Sequence, residues 1–512
     1  MSEQLPRWLY LRQGVAVDEA AVPTIASEEF AAHVVAMRGR GGRISSLFAR
    51  RLATDALRVY CLLAFDADST LAICATDLAG ANPSYPSITA HWPAAQAFER
   101  AIAESYGVTP LHHPWLKPLR YVATDNGTPA PWGKFDPAKT IPGDYPFYRV
   151  EGEEVHEVAV GPIHAGVIEP GHFRFQCHGE DVLHLEIVLG YQHRGAQALL
   201  LHPNATRSAL VAETIAGDAT IGHAMAYCVA LEGLGGVSVG MRASAIRAIA
   251  LELERLANHV GDLGALGLDI GFLPTSAYLG RLRGDFLNLT AEICGSRFGR
   301  NLLRPGGVKF DIDTALAEKI RTKLEGLQKE TLEVLDLMFS TPSVLARFEG
   351  TGALTRETAE EIGLVGPAGR ACGCPRDARS NHPHGIYQFN QLPLATETTG
   401  DVSARAVVRW LEVQRSLEFL LDILTRLPEG KTFAPLTALK SNALAIGLTE
   451  TWRGEATYVA FSDAAGKVSF VQPKDPSMHN WYGLALALRN VAISDFPICN
   501  KSFSLSYCGH DL

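Results

Sequence analysis

No stretch of 18 or so uncharged apolar residues occurs in the 512-residue chain, and Met1 to Arg12 carries no apolar core of the secretory kind. The expectation is a chain that does not span a membrane, is soluble or peripheral to one, and stays in the cytoplasm. None of the nine cysteines forms a C-x-x-C pair, so a zinc ribbon or a ferredoxin-like cluster run is excluded. Their odd number and wide scatter (61, 74, 177, 228, 294, 372, 374, 499 and 508) predict a reducing compartment with mostly buried free thiols. There is no excess of positive charge either. A formal net charge of -9 argues against an electrostatic nucleic-acid binder. Internal repeats and low-complexity tracts are missing as well. What is present is an ordinary globular composition, 47% hydrophobic and 20% charged, long enough for roughly two to four domains.

The first 120 residues read as a small α+β unit. Leu57 to Phe65 and Thr70 to Ala75 are apolar, β-leaning runs separated by Asp66-Ala67-Asp68-Ser69, which suits a hairpin. Pro93 opens a helical stretch that ends at Gly107. The adjacent His112 and His113 read as surface residues of a loop. Residues 121–148, rich in Pro, Gly, Asp and Thr, read as a connecting segment, so the expected units are 1–120, a linker at 121–148, and 149–512. The last unit begins with β-rich runs, Glu154 to Val160 and Gly171 to Leu189, and continues mainly as helices. Ile246, Ile249, Leu253, Leu256, Val260 and Leu263 share one helix face, while Arg247, Glu252, Glu254 and Arg255 lie off it. Leu316, Ile320, Leu324, Leu327, Val334 and Met338 form a second stripe, and a third helix runs from about Val402 to Leu424. The fold class is therefore α+β, a small N-terminal domain followed by a large, mainly helical bundle domain with a small β-rich start.

The stretch that bears most on function is Glu213-Thr214-Ile215-Ala216-Gly217-Asp218-Ala219-Thr220-Ile221-Gly222-His223. It resembles the metal-binding loop of nickel-iron hydrogenase large subunits, in which cysteines stand at the positions of Ala216 and Ala219. Further ordered matches are Gly161-Pro162-Ile163-His164, Glu169-Pro170-Gly171-His172, Tyr191-Gln192-His193-Arg194-Gly195, Arg297 to Asn301 with Pro305 to Val308, Gly366 to Ala371 with Arg376 to Arg379, Gly400-Asp401-Val402 with Arg405 and Arg409, and Trp452-Arg453-Gly454-Glu455. Together they resemble the large subunits of membrane-bound, energy-converting hydrogenases of the formate-hydrogenlyase type and the quinone-site large subunit of respiratory complex I. The segment with Trp92, Glu99, Gly107 and His113-Pro114 is similar to the complex I accessory hydrophilic subunit, here fused to the large one.

Departures from the family pattern shape the functional expectation. A methyl group cannot coordinate a metal as a thiolate does. The C-terminal nickel motif, Asp-Pro-Cys followed by a second Cys, is matched to Asp495-Phe496-Pro497-Ile498-Cys499-Asn500-Lys501-Ser502, which leaves one thiolate of four. Complex I carries a His-Gly pair where this chain has Pro170-Gly171 and a Tyr near Gly217, leaving His172 or His223 as substitutes for proton donation to a quinone. The resemblance thus implies a large subunit of a complex-I-like oxidoreductase, coupling electron transfer to ion translocation without a nickel-iron centre and binding no cofactor itself. Its expected partners are an iron-sulfur small subunit with a four-iron cluster beside the loop and membrane antiporter-like subunits, and the chain itself is expected to be peripheral at the cytoplasmic face of the membrane. Alternatives are a non-catalytic structural or coupling subunit and a quinone-reducing NADH dehydrogenase-type subunit. The expected site residues are Glu213, Asp218, His223, Arg453 and Cys499, with Glu213, Asp218 and Arg453 in one cluster close to Cys499. Cys372-Gly373-Cys374 reads as structural or incidental, and the tail Ser506 to Leu512 as a frayed terminus.

Overall fold

The computed structural model describes residues 7–52, 54–134, 136, 139–165 and 168–512. The expected hairpin forms: Leu57–Phe65 pairs with Thr70–Leu78 in register from Leu57↔Leu78 to Phe65↔Thr70. Arg43–Arg51 and Leu9–Leu11 complete a four-stranded antiparallel sheet on either side of it. Helices Ser27–Val35 and Gln96–Tyr106 contribute Phe30, Val34, Phe98 and Ile102 to the core on one face of that sheet, and the second helix stops at Gly107 with φ +69°, as the sequence predicts. His112 is exposed, but the His113 side chain is buried 4.0 Å from Glu99, contrary to the surface reading.

Between Leu111 and Val155 the described residues contain no helix and no regular strand. The expected β-rich start follows as a three-stranded antiparallel meander, Val155–Val160, His172–His178 and Asp181–Val188. Helices Met241–Asp269, Leu273–Cys294, Thr314–Ser340 and Val402–Thr425 then pack around one core in which Ile246, Leu253, Leu263, Leu324 and Leu420 are fully buried. The six predicted stripe residues of Met241–Asp269 are all buried, yet so are Arg247, Glu252, Glu254 and Arg255. That helix is enclosed all round, and its charged side is satisfied by partners inside the protein rather than by water.

One element lies outside the expected mainly helical domain. Ala443–Thr451, Gly454–Ser462 and Val468–Lys474 form an antiparallel sheet, and Val17–Asp18 from the N-terminal segment adds a fourth strand beside Ala443–Leu444. Its two central strands are buried at every residue, so they show no polar alternation for a sequence reading to detect. Leu444, Ile446, Val459 and Phe461 pack on Phe48 and Tyr60 of the N-terminal sheet, whereas Ala445, Tyr458 and Ala460 face Tyr227 and Ala230 of the helix Thr220–Gly235. Gly447 lets that helix approach, since a Cβ there would collide with the Ala226 carbonyl. The resulting layers run from N-terminal sheet through C-terminal sheet to helices, and the hairpin turn Thr451–Gly454 projects from the middle layer towards the loop Glu213–Ala219.

Candidate functional site

The loop Glu213–Ala219 joins the helices Ala205–Ala212 and Thr220–Gly235 and lies against the Trp452-Arg453 turn. Ala216 and Ala219 pack with Trp452 as a small apolar cluster, each residue 2% exposed or less. Beside them Asp218 and Arg453 form a bidentate pair, Nη1 to Oδ1 at 2.5 Å and Nη2 to Oδ2 at 2.7 Å. The guanidinium lies over the Trp452 ring at 3.9 Å and donates Nε–H to the Ser504 carbonyl at 2.5 Å. Burial opposes its charge, but the Asp218 carboxylate more than offsets this and holds Arg453 above its ordinary range. The Asp218 backbone carbonyl is fixed from two sides, by Trp452 Nε1 at 3.0 Å and Asn258 Nδ2 at 2.8 Å.

Glu213 takes another direction. Its carboxylate accepts the Asn301 amide at 2.8 Å, and it forms no ion pair with Arg453. At 1% exposure, burial pushes its carboxyl up to about 7, against the Asn301 amide and the charges of Arg300 and Lys309. Sequence reasoning missed Glu254 as a site residue. It accepts the amides of Ile221 at 2.7 Å and Gly222 at 3.2 Å at the start of Thr220–Gly235, and burial, aided by the nearby Asp218 charge, raises its carboxyl to about 8. The sequence offered no signal for it, since Glu254 reads there as part of the polar side of the helix that the structure shows to be enclosed.

His223 is fully buried and committed on both ring nitrogens, Nε2 to Asp475 at 2.9 Å and Nδ1 to the Tyr458 hydroxyl at 3.1 Å. His172 bonds through Nδ1 to the Gly161 carbonyl at 3.0 Å and through Nε2 to Arg174 at 3.3 Å. Neither ring is free to serve a ligand in this arrangement.

Cys499 is not part of the cluster. It lies on the helix Phe496–Phe503 with its Sγ 3.9 Å from Arg405 Nη2, in a core shared with Leu484 and Phe175, and burial raises its thiol to about 11. Ser502 turns to the same guanidinium, accepting Arg405 Nε at 2.8 Å. Neither residue faces the Glu213–Ala219 loop, because the chain reverses only afterwards, at Ser504 with φ +51°.

The segment that does meet the loop is the tail, which is ordered rather than frayed. Ser506 caps the short helix Tyr507–Asp511 through the Gly509 amide, and Asp511 accepts the amides of Gly190 and Gln192. Arg194 clamps loop to tail, donating to Thr214 O at 2.7 Å, Ile215 O at 3.0 Å and Cys508 O at 3.2 Å. The Gly217 amide points at the Cys508 sulfur, whose thiol burial raises to about 11. Gly509 presses on Asp475, since a Cβ there would come within 2.5 Å of its carboxyl carbon.

Behind the turn lies a buried ionic cluster on four elements. Arg255 binds Glu412 at 3.1 Å and the Glu450 carbonyl at 2.6 Å, and Arg370 binds Glu450 at 2.7 Å as well as Glu412. His259 meets Glu412 at 2.7 Å and presents its ring edge to Trp452, with burial holding it neutral at about 4. Arg409 reaches Asp262 at 3.3 Å, and Asp262 accepts Ser504 Oγ–H at 2.9 Å, so the cluster extends to the residue that binds Arg453. Cys372 and Cys374 are buried free thiols.

Two family profiles match, the 30 Kd subunit of respiratory-chain NADH dehydrogenase over residues 24–139 and the 49 Kd subunit over residues 269–444. Formate hydrogenlyase subunit 5 of Escherichia coli (strain K12) is 30% identical over 493 residues, covering 91% of this chain and 84% of that protein. The carbon monoxide-induced hydrogenase of Rhodospirillum rubrum is 29% identical over 349 residues, 68% of this chain and 96% of that one. The chain therefore belongs to the family that unites the large subunits of membrane-bound hydrogenases and of complex I, with a fused accessory-subunit domain. A solved chain of the membrane-bound sulfane sulfur reductase, an archaeal respiratory membrane complex, shares the fold at TM-score 0.66 and 23% identity, covering 71% of this chain and all of that one. Its relatives are subunits of membrane-bound, hydrogenase or complex-I-like assemblies, while no described helix here is long and apolar enough to cross a membrane.

Proposed function

We propose that this protein is the large hydrophilic subunit of a complex-I-like membrane oxidoreductase, that it works without a nickel-iron centre, and that it couples electron transfer in its partners to ion translocation. The observation that carries this reading is the packing of Ala216 and Ala219 on Trp452, with the Asp218–Arg453 pair beside them. A nickel-iron centre is held by four thiolates. At the positions of the missing thiolates stand the methyls of Ala216 and Ala219, the thiol of Cys508 meets the Gly217 amide, and Cys499 is turned away to Arg405. That donor set does not fit, and no chemical step is drawn through such a centre.

The chain's own contribution is a proton-handling junction. Glu213, with its carboxyl near 7, holds or releases a proton around neutral pH, and the Asp218–Arg453 pair fixes the loop against which an iron-sulfur small subunit with a four-iron cluster would dock. Membrane antiporter-like subunits below would complete the machine, with this chain peripheral at the cytoplasmic face of the membrane. The filled junction also favours a second reading, a subunit kept for assembly and coupling with no substrate of its own. The quinone-reducing reading is the least supported, because His172 and His223 are both engaged elsewhere.

Metal analysis of the purified complex tests the first claim, with no stoichiometric nickel expected; stoichiometric nickel together with hydrogen uptake would overturn it. Glu213→Gln tests the second. The amide keeps the bond from Asn301 and loses the titrating proton, so the complex should assemble and lose coupled activity. Unchanged activity with only a lower yield of complex would leave the assembly role standing instead.

A further inference from the structure

Residues 297–309, the segment that presents the Asn301 amide to Glu213, carry Arg297, Arg300, Arg304 and Lys309 and no acid. None of the four forms an ion pair with a described residue, and neighbouring carboxylates are already taken: Asp218 by Arg453, Asp311 by Arg242, and Glu292 by Lys319 and Lys323. In a chain of net charge -9 this is a local reversal of sign. Arg304 lies 3.6 Å over the Phe433 ring and Lys309 donates to the Asn301 side chain, so both charges are stowed against the protein. Arg297 and Arg300 stay exposed. The backbone holds them in fixed places. Gly299 and Asn301 have φ +69° and +66°, Ser296 Oγ accepts the Arg300 amide at 3.2 Å, and a Cβ on Gly299 would come within 2.5 Å of Ile221 on the helix that follows the loop. The Arg300 guanidinium thereby stands beside Gly217, 3.9 Å from where a Cβ on that glycine would be. At the other end of the loop Arg194, also exposed, donates to the Thr214, Ile215 and Cys508 carbonyls, which leave its charge unneutralised. Like charges gathered on one face repel, and no described carboxylate offsets them.

We propose that Arg194, Arg297 and Arg300 form a cationic rim on the outer side of the Glu213–Ala219 loop, and that this rim receives Asp and Glu side chains of a partner protein subunit. The inference rests on the part of the proposed function in which a subunit docks at this loop, and adds the chemistry of the surface that does so. The rigidity of the segment selects a protein over an anionic lipid layer. Guanidiniums held at fixed positions match carboxylates held at fixed positions, in bidentate pairs whose ordering cost is already met on this side. A fluid layer of headgroups gains nothing from such fixed spacing.

In the purified complex, Arg297→Glu with Arg300→Glu should raise the dissociation constant of the subunit at the loop by roughly tenfold or more, because attraction becomes repulsion. Lys329→Glu with Lys467→Glu makes the same charge change at two exposed lysines on other elements and should leave it unaltered. Arg300→Lys keeps the charge, needs no refolding of the turn, and supplies an amine. Carbodiimide should couple that amine to an Asp or Glu of the neighbouring subunit, identified by mass spectrometry of the joined peptides. Equal affinity in the two double variants, or coupling in Arg300→Lys to carboxyls of this chain alone, would overturn the rim. Binding of the free chain to phosphatidylcholine vesicles that contain phosphatidylglycerol, lost in Arg297→Glu with Arg300→Glu while the complex stays intact, would assign the rim to lipid and refute the protein partner. Stoichiometric nickel would end the proposed function and leave the rim standing, whereas normal assembly with the rim reversed would end the rim alone.

Discussion

At the scale of single residues, Glu213 makes the clearest prediction. Its carboxyl is raised from about 4.5 in the unfolded chain to about 7 in the fold, so between those values the native state binds more protons than the unfolded one. Stability from this group is therefore present at low pH and lost as pH rises through 7, by on the order of 3 kcal/mol at most. The Tm of Glu213→Gln relative to the natural protein should climb across that window, and a difference independent of pH would show that Glu213 stays ionised. The Asp218–Arg453 pair is asymmetric, the aspartate side chain being 35% exposed and the arginine 6%. Asp218→Ala strands a nearly buried guanidinium and should cost about 2 kcal/mol, less than a fully enclosed pair because water reaches the aspartate. A double-mutant cycle with Arg453→Ala, read by chemical denaturation, should return a coupling of about 1 kcal/mol or more. The pairing was legible in the sequence, because a new acid in a loop facing an arginine needs a counter-ion. The direction of Glu213 was not, since it depends on the Asn301 amide presented from another loop.

At the scale of elements, the helices were readable from apolar residues recurring at three and four, and the first hairpin from the Asp66-Ala67-Asp68-Ser69 turn between two apolar runs. The central strands Ala443–Thr451 and Gly454–Ser462 are enclosed on both faces, and their apolar runs carry no period to separate strand from helix. The same limit explains Cys499. Motif spacing matched Asp495 to Ser502 to the nickel motif, yet the reversal at Ser504 hands the loop contact to Ser506–Gly509 instead. Gly509 therefore makes a testable contact. Asp475 is held by His223 and by the Ser477 amide and cannot retreat freely, so Gly509→Ala should destabilise the protein by roughly 1–3 kcal/mol. Limited proteolysis should then cut within the Glu213–Ala219 loop sooner than in the natural protein. Unaltered protection would mean that the tail shifts without disturbing the loop.

At the scale of the molecule, the division expected from the sequence meets a continuous core. Phe48 and Tyr60 from the first sheet share one cluster with Ile446 and Phe461 from the last, and Arg43 reaches Glu455 at 2.5 Å. A protease that cuts within residues 121–148 should leave two pieces that elute together in native gel filtration and part only in denaturant. Separate elution under native conditions would show that the shared core is too weak to hold them.

The pairing of Val17–Asp18 with Ala443–Leu444 also bears on biosynthesis. On the ribosome the first sheet emerges early, and the surface it needs to cover Phe48 and Tyr60 is translated near the end. At about 5–20 residues per second the wait lasts tens of seconds, during which an apolar face stays open to chaperones and to neighbouring nascent chains. Translation speed and chaperone supply, more than the equilibrium strength of any contact, would then set the yield of this protein in a foreign host.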